Sequence, residues 1–131
     1  MRLFVVRHAE AAPGDPDELR PLTDAGRAVA RALGDRLAEY GVDAVLSSPL
    51  LRARETAEAI ARAAGHEAEP DERLAPGADA DLVREAVAGR GETVVTVGHQ
   101  PDCSEMAFAV TGVDPGFSPG AMAQLDVEPA P

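Results

Sequence analysis

Three short pieces of this chain hold the residue types that handle phosphate: Arg7-His8 near the start, Ser48 to Arg52 in the middle, and Gly98-His99 later. Two arginines describe a site for a dianion, because each planar guanidinium offers paired N–H donors to phosphate oxygens and balances charge during phosphoryl transfer. A neutral imidazole can attack phosphorus in line, making an N-phosphohistidine and splitting one hard hydrolysis into two easier steps. A second imidazole can hydrogen-bond the oxygen on which charge develops. His8, Arg7, Arg52 and His99 are therefore the candidate catalytic residues, and the arrangement calls for neither metal nor cofactor.

These residues are far apart in sequence, so the fold must gather them. Arg2-Leu3-Phe4-Val5-Val6 is a short apolar run of the kind found in a strand covered on both faces. A Pro/Gly/Asp-rich loop follows to about Pro21. Thr23 or Asp24 can then cap a helix whose Val29, Leu33, Leu37 and Tyr40 recur at helical spacing, with Arg27, Arg31, Asp35 and Glu39 on its wet side. After Gly41, Asp43 to Ser47 reads as a second strand, with Ser48 as cap and Pro49 in the first turn of a helix reaching about Ala64. Glu67 to Glu69 suits a short strand, and Asp79 or Asp81 can start a helix to about Ala88. Thr93 to Val97 is the clearest buried strand, Pro101 opens a helix through about Val110, and Ala121 to Val127 suits an edge strand. The alternation predicts α/β architecture: a single mostly parallel central sheet with helices on both faces. In such sheets ligands collect outside the carboxyl ends of the strands, where Arg7-His8, Ser48 and Gly98-His99 would all emerge. Helix N-termini after Ser48 and Pro101 would add N–H groups and favourable dipoles.

The chain has 131 residues, 45% of them hydrophobic, which suits one domain over 1–131 with a loose tail at about 128–131. The net charge is −11, and all 12 basic residues are arginines in no basic run. Nucleic-acid and anionic-membrane surfaces are disfavoured, since both need clustered positive charge. No segment resembles a signal peptide or a membrane span, and Cys103 is alone, so a cytoplasmic protein is expected. A monomer is the favoured state.

Arg7-His8-Ala9-Glu10 resembles the Arg-His-Gly signature of the histidine phosphatase (phosphoglycerate mutase-like) superfamily. Arg20-Pro21-Leu22-Thr23, Ser47 to Thr56 and Val97-Gly98-His99-Gln100-Pro101 are similar to its later motifs, in the same order. The compact length and early Arg-Pro-Leu-Thr most resemble the SixA-like branch of phosphohistidine phosphatases. The resemblance implies His8 as nucleophile, Arg7 and Arg52 as phosphate clamps and His99 as the second pocket histidine. Arg20 would line the pocket mouth and Ser48, first a helix cap, would touch phosphate; both are substrate-binding candidates. The implied partner is a phosphorylated protein carrying phosphohistidine, with a small phosphate ester as the rival.

Two departures stand out. Ala9 replaces the usual glycine, tightening a backbone approach. Where mutase-like relatives carry a glutamate general acid two residues after a leucine, Leu74 would place Pro76, leaving Glu72 or Glu10 as alternatives. A phosphoramidate needs such an acid less than an ester does. Other readings remain beside this one. His8, Glu10, His99 and Asp102 could ligate a divalent metal, although arginines beside a cation would be costly. A non-catalytic phosphate-binding protein would keep the pocket without the chemistry. Arg54 and Glu55 suit an exposed ion-paired face, His66 a solvated position, and 112–120 a loop near the strand ends.

Overall fold

Alternate residues of the strands feed two different hydrophobic cores, as a sheet covered on both faces requires. In the computed structural model, which describes residues 1–128, five strands and four α-helices are arranged around one sheet. The strands are β1 (Arg2–Arg7), β2 (Ala44–Ser47), β3 (Ala68–Pro70), β4 (Thr93–Gly98) and β5 (Met122–Asp126), and the helices are α1 (Asp24–Ala38), α2 (Leu51–Ala64), α3 (Ala80–Val87) and α4 (Asp102–Thr111). The order across the sheet is β3-β2-β4-β1-β5. Pairings β1–β4, β2–β4 and β2–β3 are parallel, and β5 runs antiparallel to β1 at the edge. The expected α/β sheet is thus present, mostly parallel with one antiparallel pair.

On one face Leu3, Val5, Leu46 and Val94 pack with Val83 and Val87 of α3 and Met106 of α4. On the other, Phe4, Val6, Val45, Val95 and Val97 pack with Leu33 and Leu37 of α1 and Ile60 of α2. Each of these large side chains contributes on the order of 1.5–3 kcal/mol by leaving water. No helix among the described residues is long and apolar enough to cross a membrane. Of the expected tail, 129–131 lie outside the described residues.

Local differences have physical reasons. Thr23 is the cap of α1, its hydroxyl accepting from the Gly26 N–H at 2.9 Å. The inward stripe of α1 runs through Gly26, Ala30, Leu33, Gly34 and Leu37, while Val29 and Tyr40 are exposed. The spacing of larger apolar residues concealed a stripe half made of small ones, which let α1 lie close to its neighbours. A Cβ on Gly26 would fall 2.2 Å from the Glu10 carbonyl oxygen, so only glycine allows this approach to the loop after β1. Helix α2 begins at Leu51, with Leu50 as its cap residue, and not at Ser48-Pro49. The Ser48 hydroxyl still accepts from the Leu50 N–H at 3.2 Å, one residue short of the helix, because its other side is engaged elsewhere.

Candidate active site

The strand register sets the site. Arg7 lies opposite Gly98 and Ser47 opposite Val97, so the next residues, His8, Ser48 and His99, leave the sheet at one edge. The ladder continues one step beyond the strands: His8 N–H donates to the Gly98 carbonyl at 3.0 Å and Ser48 N–H to that of Val97 at 2.9 Å. Arg7, His8, Arg20, Arg52, Pro76, His99 and Gln100 line one open cleft there. All four candidate catalytic residues meet in it, together with Arg20. Ser48 does not reach the lining. It is fully buried and its hydroxyl lies 2.8 Å from His99 Nε2.

His8 and His99 stand with ring centroids 5.3 Å apart. His8 Nδ1 is 2.7 Å from the Ala9 carbonyl oxygen. A carbonyl only accepts, so Nδ1 carries the proton and Nε2 keeps its lone pair. Burial lowers the His8 pKa below the usual histidine value; the Ala9 bond opposes this, and the charges of Arg52, Arg7 and Arg20 add to the lowering. The His99 pKa falls to about 4, through burial first and then the neighbouring His8. Both rings are neutral near pH 7, as a nitrogen nucleophile must be.

Ala9 is held from α2. Its N–H donates to Thr56 Oγ1 at 3.1 Å, and that hydroxyl donates to the Arg52 carbonyl at 2.8 Å. The methyl group that distinguishes Ala9 from glycine is buried against Leu22 and Ala30. No non-glycine residue has a positive φ among the described residues, so alanine fits here without backbone strain.

Each arginine is braced by the backbone. Arg7 Nη1 donates to the Phe117 carbonyl at 2.9 Å, Arg20 Nε to Ala12 at 2.9 Å, and Arg52 Nη1 to Asp17 at 2.9 Å. Arg7 is further framed by Gly120, whose N–H donates to the carbonyls of Arg7 and His8. The 112–120 segment therefore buttresses the site from behind. Asp17, which the sequence reading passed over, reaches both remaining arginines. Its Oδ1 lies 3.0 Å from Arg20 Nη1 and its Oδ2 3.2 Å from Arg52 Nη2. Arg20 first, and then Arg52, hold its carboxyl below the usual carboxylate range. Its position three residues before Arg20 was the available signal.

Carboxylates from the other readings lie elsewhere. Glu10 is exposed and accepts from the Thr23 hydroxyl at 2.7 Å, Glu72 is exposed outside the cleft lining, and Asp102 accepts from the Gly77 N–H at 2.8 Å. No group of three or more His, Cys, Asp or Glu side chains is placed to hold a metal among the described residues. Glu55 keeps the expected ion pairing, its Oε2 lying 3.8 Å from Arg27 Nη2, but the face is not exposed. It is half-buried and accepts from the Leu22 N–H at 2.8 Å, anchoring the loop that carries Arg20. Its neighbour Arg54 is also half-buried, with its Nε shielded from water. His66 is exposed, as its polar surroundings suggest.

Comparison with known proteins agrees with this geometry. The family model of the histidine phosphatase superfamily (branch 1) matches residues 3–76. An uncharacterised protein of Picosynechococcus is 38% identical over 120 residues, covering 84% of this chain and 73% of that protein. The structure of the protein histidine phosphatase SixA complexed with tungstate superposes with a TM-score of 0.86 at 29% identity, over 98% of this chain and 89% of the other. A putative phosphohistidine phosphatase SixA from Agrobacterium tumefaciens superposes with a TM-score of 0.81 at 31% identity, over 95% and 90%.

Proposed function

Because this chain belongs to the histidine phosphatase superfamily, in its SixA-like branch, we propose that it is a single-domain, metal-independent phosphatase working through a phosphohistidine on His8. The observation that carries the reading is the meeting of Arg7, His8, Arg20, Arg52 and His99 in one cleft, with His8 Nε2 left free. In the first step the Nε2 lone pair forms a bond to phosphorus while the bond to the substrate breaks. The electron pair departs with the leaving atom, which takes up a proton. In the second step a water oxygen attacks phosphorus and gives up to solvent the proton that solvent supplied to the leaving atom, the P–Nε2 electron pair returns to Nε2, and phosphate leaves with His8 neutral again. Arg7 and Arg52 hold the equatorial oxygens, Arg20 stands at the mouth, and His99 donates to the developing charge.

The favoured substrate is phosphohistidine in a protein. The cleft lining, which includes Pro76, holds no carboxylate among the described residues, and Asp17 beside it is kept ionised by Arg20 and Arg52 and so has no proton to give. A leaving imidazole nitrogen gains its proton more readily than an ester oxygen, so an acid-free pocket suits a phosphoramidate. The openness of the site also suits a side chain presented by another protein. The deciding assay sets a phosphohistidine protein beside a panel of small phosphate esters, each with and without chelator. Faster turnover of the phosphohistidine protein, insensitive to chelation, is expected. A preference for esters by orders of magnitude would reassign the substrate to small molecules, and loss of activity on chelation would replace the mechanism.

A further inference from the structure

Asp17 is the one carboxylate among the described residues in hydrogen-bonding contact with the arginines of the cleft. It bridges two of them, Oδ1 to Arg20 and Oδ2 to Arg52, while its own carbonyl accepts from Arg52 Nη1. Its side chain remains 60% exposed while its oxygens rest on two arginines that line the cleft, so a solvent-facing negative charge stands beside the cleft. Three arginines less one carboxylate leave two positive charges around the cleft, enough to balance one phosphoryl dianion with none left for a second acid group. The surrounding protein, at −11, adds a field of the same sign as Asp17.

Resting on the phosphatase reading, we propose that Asp17 is a specificity-determining residue that rejects phosphate carriers bearing an anionic group beside the phosphate and admits neutral or cationic ones. It acts in two ways. The carboxylate occupies the Arg20 and Arg52 donors that a substrate's own carboxylate would use, and it repels that group directly. A phosphorylated imidazole falls on the admitted side, since its free ring nitrogen is neutral or protonated near pH 7 and never anionic. Phosphorylated hydroxy acids fall on the rejected side.

Binding of two matched probes, phenylphosphonate and 4-carboxyphenylphosphonate, tests this by calorimetry without requiring turnover. Wild-type protein is expected to bind the carboxylated probe more weakly. Asp17→Asn keeps an oxygen acceptor but removes the charge, and should narrow that gap by roughly five- to tenfold, as expected for one unit charge met at several ångströms in a wet mouth. Asp17→Ser, which removes both charge and reach, should narrow it at least as far. An unchanged ratio in both variants overturns the inference, and so does loss of both probes together, which would make Asp17 only a brace for Arg52. Turnover of phosphohistidine protein, measured separately on the wild type, reports on the phosphatase reading, so failure of one is distinct from failure of the other.

Discussion

The Ser48 hydroxyl lies 2.8 Å from His99 Nε2 and at the same time accepts from the Leu50 N–H, in a pocket closed to water. The Leu50 contact uses one of the two hydroxyl lone pairs and not its proton, which is free to point at Nε2; with that bond made, the His99 proton sits on Nδ1. Ser48→Ala should therefore cost His99 its fixed tautomer. We expect kcat to fall about tenfold with KM little changed, the scale of one buried hydrogen bond lost. Steady-state kinetics, with nitrogen chemical shifts of His99 as the tautomer readout, check this; an unchanged kcat would reduce the contact to packing.

His8→Ala should remove turnover while leaving the circular dichroism spectrum as it is, since His8 lies at the cleft and not in either core. In wild-type protein quenched during turnover, phosphate that is labile in acid and stable in base should be found on His8. Wild-type-like rates in the variant would end the proposed mechanism.

For Arg52, replacement by alanine removes a clamp and by lysine removes only the fork. We expect kcat/KM losses of about 10²- to 10³-fold for Arg52→Ala and a partial recovery in Arg52→Lys, because a point charge cannot hold two oxygens in a plane. Binding of inorganic phosphate, measured by calorimetry, should weaken in parallel. Equal activity of all three proteins would place the phosphate elsewhere.

Acid should act on the rate through His8 and on stability through both histidines, His99 above all. His8 must be neutral to attack, and its lowered pKa keeps kcat/KM level below the usual histidine value of 6.5 before protonation cuts the rate. His99 is about 4 folded and 6.5 unfolded, so between these values the unfolded chain binds more protons. Its contribution to stability is complete above pH 6.5, falls as pH drops through that window, and is gone near pH 4. Denaturant titrations from pH 7 to 4 should show the decline, and His99→Gln should flatten it.

Gly26→Ala should destabilise the fold by about 1–3 kcal/mol, the usual range for overpacking a tight contact. The added carbon would meet the backbone of Glu10, which has no side-chain freedom with which to yield. Thermal melts measure the loss; an unchanged midpoint would mean that α1 and the His8 loop separate easily.

The candidate catalytic residues were easier to read from the sequence than the residues that aim them. Arg7, His8 and His99 announced themselves because strand ends in an α/β sheet converge, and the register brought them to one edge, where the first turn of α2 adds Arg52. Ser48 could be seen as a polar residue after a strand, but its hydroxyl turns to His99 because of a long-range pairing that local capping rules do not contain. Asp17 was hidden for a similar reason: an aspartate in a Pro/Gly/Asp-rich loop looks solvated until the fold lays Arg52 beside it. The α1 stripe was misjudged at Val29 and Tyr40, since size and not spacing decides which residues fit against a close neighbour. Tyr40 instead sets its ring edge against Phe4, at 4.9 Å between centroids, under the Arg2 guanidinium.

The order β3-β2-β4-β1-β5 places the earliest strand between the two latest ones. During synthesis His8 and Arg7 leave the ribosome ahead of their partners, for the Gly98 carbonyl that anchors His8 and the Gly120 N–H that closes over it come some ninety or more residues later. A nascent chain therefore carries the proposed nucleophile long before it has a pocket. Activity should switch on late and all at once, when β4 and β5 close around β1, leaving no half-built intermediate able to strip phosphate.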